Sequence, residues 1–417
     1  MRDNLRKRNM LDFPFEELTS LDKQRRELIS LNQKLKTERN RISLEIGRKK
    51  RGKDEEAERL ISAMKTTSET IAENDRKTAA LEQSFQDLAA RLPNFIEPDV
   101  PVGPDESYNK TIEQWGEPMQ GIAMDHVDLS AQFELIDLER AAKTSGARFY
   151  FLKGDLVRLN YALLSYGLDF LRNRGFTLIE PPYLLKRAAI GGAIIFSDFQ
   201  DVIYKIQDED LYLIGTSEHA IAAMHMDEIF SVNELPLRYA GVSPCFRKEA
   251  GAHGKDTKGI FRVHQFDKVE QFVFCSPEQS GRQHEALFSN ATDFLKLLGL
   301  PYRAVILSSG DMGKVAAKTI DIECWVPSQA NYREMISCSN CTDFQARSLG
   351  IKYRERAHEE SRFVHTLNST LVASTRTMVP LLETYFRKDS NTIEIPKVLR
   401  SFMSGQEEIR PIAKHAA

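Results

Sequence analysis

The chain has 417 residues, 41% of them hydrophobic, and a formal net charge of −3, which favours about two or three domains with packed cores. No run of about 18 apolar residues marks a membrane span, and the N-terminus opens straight into charge at Arg2 and Asp3, against a secretory signal. Five cysteines, an odd number, argue for a reducing, cytoplasmic compartment and against a disulfide framework.

Residues 18–46 contain no Pro or Gly and are rich in good helix formers. Leu21, Leu28, Leu35 and Ile42 recur at the spacing of a coiled-coil seam. Gly47 to Asp54 then interrupts the pattern. A second seam follows at Leu60, Met64, Thr67, Ile71, Asn74, Thr78, Leu81, Phe85, Leu88 and Leu92. Two helices of similar length joined by a glycine-bearing turn form an antiparallel hairpin. Each apolar stripe is narrow, so the hairpin is expected to protrude as an arm. Between Lys23 and Asp54 the arm carries twelve Lys/Arg against four acidic residues. Such a run either meets nucleic-acid phosphates or is a solvated helix face.

Pro93, Pro98, Pro101 and Pro104 end the second helix and mark a linker. The domains are therefore read as 1–97 and 98–417. Beyond the linker, β-rich runs at Phe149–Leu152, Phe176–Ile179, Tyr212–Ile214 and Val269–Phe274 alternate irregularly with helical patterns. Neither GxGxxG nor GxxxxGK[ST] occurs. The expected class is α+β: an N-terminal antiparallel coiled-coil hairpin, then a mainly antiparallel or mixed sheet flanked by helices.

An apolar strand ending in Pro244-Cys245-Phe246-Arg247-Lys248-Glu249 leads into a loop from Ala250 to Gly259 with three glycines. It returns as Ile260 to Phe272, forming a long hairpin whose mouth holds Arg247, Glu249, Arg262, His264 and Glu270. Residues two apart on a strand share a face, so Arg247 and Glu249 are expected on the same side. Alone, this reads as a surface salt-bridge ladder. In company with other blocks it resembles motif 2 of class II aminoacyl-tRNA synthetases, in its seryl form. Arg174-Gly175-Phe176 with Ile179-Glu180-Pro181-Pro182 resembles motif 1, the dimer element. Thr216-Ser217-Glu218 is similar to the serine-binding TxE loop. Lys318–Pro327 and Arg333–Arg347 resemble seryl-enzyme signatures, and Thr366–Thr370 through Arg376 to Glu383 resembles motif 3. The similarity spans nearly the whole chain, arm included.

The resemblance implies activation of L-serine with ATP and Mg²⁺, then transfer of serine to the 3′ end of tRNA(Ser). It leaves open whether tRNA(Sec) is also charged. Activation is an in-line attack of a carboxylate on the α-phosphate, so the site must supply positioning and positive charge. By resemblance, Arg247 bridges the serine carboxylate and the α-phosphate, and Arg262 holds the terminal phosphates. Arg376 stacks on adenine opposite Phe266 and reaches the γ-phosphate. Lys248, Glu249 and Val263 belong to the ATP set, the last two reading adenine, and Glu334 and Ser337 offer hard oxygens to Mg²⁺. Thr216, Ser217, Glu218, Arg247, Glu270 and Thr370 form the serine set, with Glu270 and Thr370 at the hydroxyl. A site that pairs the hydroxyl rejects alanine by about 10⁴ or more in favourable cases. Without its flanking pattern, Thr370 would read as a helix-capping hydroxyl.

Cys338-Ser339-Asn340-Cys341 has half-zinc-site spacing with no partner pair, so structural thiols are expected and no zinc. Asn368-Ser369-Thr370 and Ala373-Ser374-Thr375-Arg376 replace the glycines of the bacterial motif 3 and resemble the archaeal and eukaryotic branch. Pro380 stands where that helix commonly has a small residue. The chain opens at what resembles the later part of the family's N-terminal segment. Two other classes compete. A non-catalytic tRNA-binding paralogue should have lost Arg247, Glu334 or Arg376, and all three are present. A carrier-protein aminoacylating homologue would lack the arm. The resemblance further implies a homodimer and no membrane partner.

Overall fold

The computed structural model describes residues 1–51, 56–121, 123–249 and 258–411. It forms two compact units, one from residues 1–6 and 10–92, the other from 7–9 and 93 onward. No described helix is long and apolar enough to cross a membrane.

In the first unit α1 (Phe15–Arg51) packs against α2 (Glu56–Ala89). The order is antiparallel: Arg25 meets Glu82 at 2.8 Å, and further along Asn32 reaches Asp75 at 2.7 Å. The seam of α1 interleaves the expected Leu21, Leu28, Leu35 and Ile42 with Leu18, Arg25, Asn32, Arg39 and Ile46, all buried or half-buried. Asn74 donates to Asn32 at 3.3 Å across the seam. A polar pair in a seam fixes register at a cost in stability. The helix also continues through Gly47, where an interruption was expected. A helical glycine facing open space costs about 1 kcal/mol against alanine, too little to end a helix packed along its length. Residues 52–55, where the turn was expected, lie outside the described residues.

The second unit is built on an eight-stranded sheet. Its strands are β1 (Lys110–Trp115), β2 (Thr177–Ile179), β3 (Leu237–Phe246), β4 (Gln265–Cys275), β5 (Tyr302–Ile306), β6 (Lys318–Val326), β7 (Asn331–Asn340) and β8 (His365–Ala373). Their spatial order is β1-β5-β6-β7-β8-β4-β3-β2, antiparallel throughout except for the parallel β2–β3 edge. The α+β class with a mainly antiparallel sheet is thus the observed one. The long hairpin is β3 and β4, with Leu237 opposite Phe274 and Phe246 opposite Gln265.

Of the helices, α3 (His126–Phe133) precedes α4 (Asp155–Arg172), whose Gly167 lets its backbone approach Val372 and Val269. α5 (Ser217–Ala223) is short, α6 (Ser280–Leu297) packs on β7 and β8, and α7 (Ser374–Tyr385) follows β8 directly. Phe170 of α4 and Phe294 of α6 stack edge to face at 5.4 Å, joining two of the helices that cover one side of the sheet. Fully burying such a side chain contributes about 1.5–3 kcal/mol. Gln271 of β4 faces this side, donating to the Leu287 carbonyl of α6. Pro380 lies inside α7 and is buried. It withholds the N–H that would otherwise reach the Arg376 carbonyl. At the start of the chain, Arg8 is buried and donates to the carbonyls of Gly313 and Ala316.

Candidate active site

Alternation along β4 sends Phe266, Lys268, Glu270, Phe272 and Phe274 to the face opposite the helices. Phe272 and Phe274 join an apolar cluster around α5. Phe266, Lys268 and Glu270 instead line a cavity of about 300 Å³. The same cavity gathers Thr216, Glu218, Arg247, Glu334, Ser337, Thr370 and Arg376, so nine of the residues expected from sequence share one space.

Its acidic end is set by α5. Gly241 of β3, opposite Glu270, admits the start of that helix: a Cβ there would sit 2.5 Å from Ile221 and 2.8 Å from the Ser217 hydroxyl. Thr216 is the N-cap and accepts from the Glu218 N–H at 3.2 Å. That cap holds Glu218 in the first turn, where its carboxylate accepts from Gln345 at 3.0 Å and Asn368 at 3.2 Å. Burial pushes the Glu218 carboxyl up to about 7, with repulsion from Glu270 adding to it. Next door, burial brings His219 down to about 3, so its ring is neutral.

Glu270 is buried. The Lys268 ammonium lies 2.5 Å from its Oε2, and the Thr370 hydroxyl donates to the same oxygen at 3.2 Å. Thr370 stands in β8 opposite Glu270, beside an irregularity where the register jumps to Val372. It therefore caps no helix. A bulge there re-aims the side chain.

The basic side is more open. Arg247 donates through Nε to the Gly215 carbonyl at 3.1 Å, and its guanidinium lies 5.4 Å from the Phe266 ring centroid. Arg376 pairs with Glu334 at 3.0 Å and lies 5.5 Å from the centre of Phe261, which Arg333 also approaches at 4.4 Å. Arg376 thus sits over Phe261, while Phe266 carries Arg247.

The remaining expected residues stand outside the cavity lining. Ser217 is buried and donates to the Gly241 carbonyl at 3.4 Å. Lys248 places its ammonium 5.7 Å from the Tyr204 ring, and Val263 is buried in the core. Glu249 and Arg262 pair at 3.0 Å. The strand argument for Arg247 and Glu249 does not hold: β3 ends at Phe246, and Glu249 has φ +50, which breaks alternation. Residues 250–257, where the glycine-bearing loop was expected, lie outside the described residues.

Sequence reasoning passed over four residues here. Lys268 and Asn368 line the cavity, Phe261 carries Arg376, and Asp321 lies opposite Ser337 across β6 and β7. Asp321 has one buried oxygen without a partner among the described residues. Burial, then Glu334, holds its carboxyl well above the usual range, while a Ser337 hydrogen bond opposes the shift. The available signal was period two: Lys268 lies midway between Phe266 and Glu270. Among the described residues no three His, Cys, Asp or Glu side chains are gathered around a point that could hold a metal. Cys338 and Cys341 are both buried, with the Cys338 thiol pushed up to about 12 by burial and Cys341 accepting from Asn368 at 3.5 Å.

Arranged this way, a closed acidic end with hydroxyl donors faces two guanidinium groups and a ring. Such a cavity can hold a small ammonium-bearing substrate against an aromatic, anionic one. Residues 1–96 match the seryl-tRNA synthetase N-terminal domain, and residues 203–385 match the tRNA synthetase class II core domain for G, H, P, S and T. The chain is 50% identical to the serine--tRNA ligase of Nitrosopumilus maritimus, over 98% of this chain and 97% of that one. It is 52% identical to the serine--tRNA ligase of Cenarchaeum symbiosum, over 98% and 96% of the two chains. The crystal structure of seryl-tRNA synthetase from Pyrococcus horikoshii complexed with ATP superposes with a TM-score of 0.92 at 44% identity, covering 98% of this chain and 96% of that one. On its arm, its sheet and its cavity, the chain belongs to the seryl-tRNA synthetase family of class II ligases.

Proposed function

We propose that the cavity activates L-serine with ATP, and that the side chains divide as follows. Glu218, Glu270 and the Thr216 carbonyl or hydroxyl receive the serine ammonium, and Glu270 with Thr370 addresses its hydroxyl. Arg247 bridges the serine carboxylate and the α-phosphate. Phe266 and Arg376 take the adenine, the latter on leaving Glu334, while Arg262, released from Glu249, meets the terminal phosphates. Glu249 and the Val263 backbone read the adenine, and Ser217 and Lys248 support the site from behind its lining. The observation that carries this reading is the opposition, inside one cavity, of the Glu218 and Glu270 carboxylates to Arg247 and Arg376. Reaction then needs alignment and charge neutralisation in place of a general base.

The donors fit a magnesium ion. Glu334 and Ser337, which both line the cavity, offer hard oxygens and would hold it. When bound, the ion supplies positive charge to the phosphates. Departure of Arg376 from Glu334 frees the carboxylate for that role.

The same reading takes 1–97 as the arm that binds tRNA(Ser) and 98–417 as the catalytic domain of a cytoplasmic homodimer. Lys34 and Arg48 on α1 are exposed and carry no ion pair among the described residues, which suits phosphate contact. An isologous interface is supported by β2, the edge strand, where Leu178 is exposed, and by exposed Tyr161 on α4. The test of the activation step is ATP–pyrophosphate exchange with a panel of amino acids. Exchange should require serine, with threonine and alanine far weaker. Comparable exchange with alanine or glycine would overturn the assignment.

A further inference from the structure

Lys268 is the unexplained charge of the catalytic unit. Its strand face reads Phe266, Lys268, Glu270, Phe272, Phe274, an apolar stripe broken only by one lysine and one glutamate. Both side chains are nearly sealed, 7% and 2% exposed, and meet at 2.5 Å. A buried lysine is costly unless paired and hydrogen-bonded. It is therefore found where the pairing does something that an apolar pair could not.

What it does is visible in the bonds around Glu270. Lys268 and the Thr370 hydroxyl both take Oε2. Oε1 has no hydrogen-bond partner among the described residues, and Glu270 lines the cavity. The carboxylate is thus pinned through one oxygen and offers the other. A second carboxylate, that of half-buried Glu218, repels it. Without a cation on Oε2, that repulsion would turn Glu270 away from its present orientation.

We propose that Lys268 is a positioning residue for amino-acid recognition, anchoring Glu270 through Oε2 so that Oε1 is presented to the serine ammonium and hydroxyl. This rests on the reading of the cavity as a serine-activating site. Loss of the anchor removes a contact that serine uses and alanine lacks, so selectivity falls along with affinity. ATP contacts, made at the Arg247, Phe266 and Arg376 end, are untouched.

The test uses the full-length enzyme and Lys268→Met and Lys268→Arg variants in ATP–pyrophosphate exchange. KM for serine, KM for ATP and the serine-to-alanine ratio of kcat/KM are measured for each. In Lys268→Met, serine KM should rise at least about 100-fold and the selectivity ratio fall at least about tenfold, with ATP KM within about threefold of wild type. Lys268→Arg keeps the charge but replaces a point ammonium with a planar fork. It should fall between the two, with the ratio lowered at least about threefold. An unchanged ratio in either variant overturns the inference, as does a rise in serine and ATP KM together, which would make Lys268 merely structural. If Lys268→Met shows no thermal shift with ATP and so has not folded, the Lys268→Arg ratio decides alone. Absence of serine-dependent exchange in the wild type overturns the serine reading itself, an outcome distinct from variants that track an active wild type.

Discussion

In the arm, Lys36 and Asp75 meet at 3.0 Å with side chains 45% and 53% exposed. In the catalytic unit, Lys268 and Glu270 meet at 2.5 Å almost sealed from solvent. The chemistry of the two pairs is the same and their surroundings differ. Water screens the first, so it contributes little to stability and leaves its charge available to a polyanion. The second cannot be screened, so its geometry and its neighbours' protonation are tightly held. The arm thus presents a field, and the pocket presents specific contacts.

The comparison predicts its largest effect at the pocket. Arg247→Ala should abolish serine-dependent exchange, by at least about 10³-fold or about 4 kcal/mol in the transition state, while the protein still folds. Retention within about tenfold of wild type would mean that Arg247 does not bridge the two anions.

Next comes pH. The Glu218 carboxyl, at 4.5 in the unfolded chain, is raised to about 7 in the fold by burial and Glu270. The folded state then holds the extra proton between those values. Its stabilising contribution is full below about 4.5 and is lost as pH rises through about 7. Glu218→Gln should flatten the stability profile across that window in chemical denaturation. If Glu218 receives the serine ammonium as proposed, serine binding runs the other way, because the ammonium needs the ionised carboxylate. Serine KM should rise by up to about tenfold per unit as pH falls below 7, whereas ATP KM should not follow. A serine KM that is flat from pH 5 to pH 8 would remove Glu218 from the ammonium site.

How far these two regions could be read beforehand differs as well. In the arm, the apolar half of the seam was plain from Leu21, Leu28, Leu35 and Ile42. Its other half was hidden because Arg25, Asn32 and Arg39 are residue types that normally face water, and their burial depends on partners in the opposite helix. Gly47 looked like a breaker because local propensity is weak against thirty-seven residues of packed helix. In the pocket, the motif blocks named nine of the lining residues, since their order in the chain is the signal. Lys268 was missed because a lysine in an apolar strand looks like an edge or surface position until Glu270 and Thr370 are brought against it. The face of Glu249 was misjudged because a left-handed residue at a strand end obeys no alternation. Phe261 escaped because its partner Arg376 lies more than a hundred residues away.

Smaller effects test the arm. Lys34→Ala and Arg48→Ala together should lower the slope of log K for tRNA against log salt by about 1 to 2, with serine activation unaltered. No change in slope would make these residues part of a merely solvated face. Smallest is Lys36→Ala, which should alter arm stability by less than about 1 kcal/mol because its pair with Asp75 is half exposed. A loss of several kcal/mol would show that exposed pairs hold the hairpin together, against the contrast drawn with Lys268.

The division of labour between field and contacts is tested most directly by one deletion assayed twice. Residues Asp22 to Arg91 are replaced by a short linker, and the protein is compared with wild type in serine-dependent pyrophosphate exchange and in tRNA aminoacylation. Exchange should survive, because the cavity residues all lie beyond the arm, while aminoacylation should fall by orders of magnitude through lost tRNA affinity. Loss of both activities would mean that the arm supports the catalytic fold, and unchanged aminoacylation would mean that its basic run is a solvated helix face; either result contradicts the account.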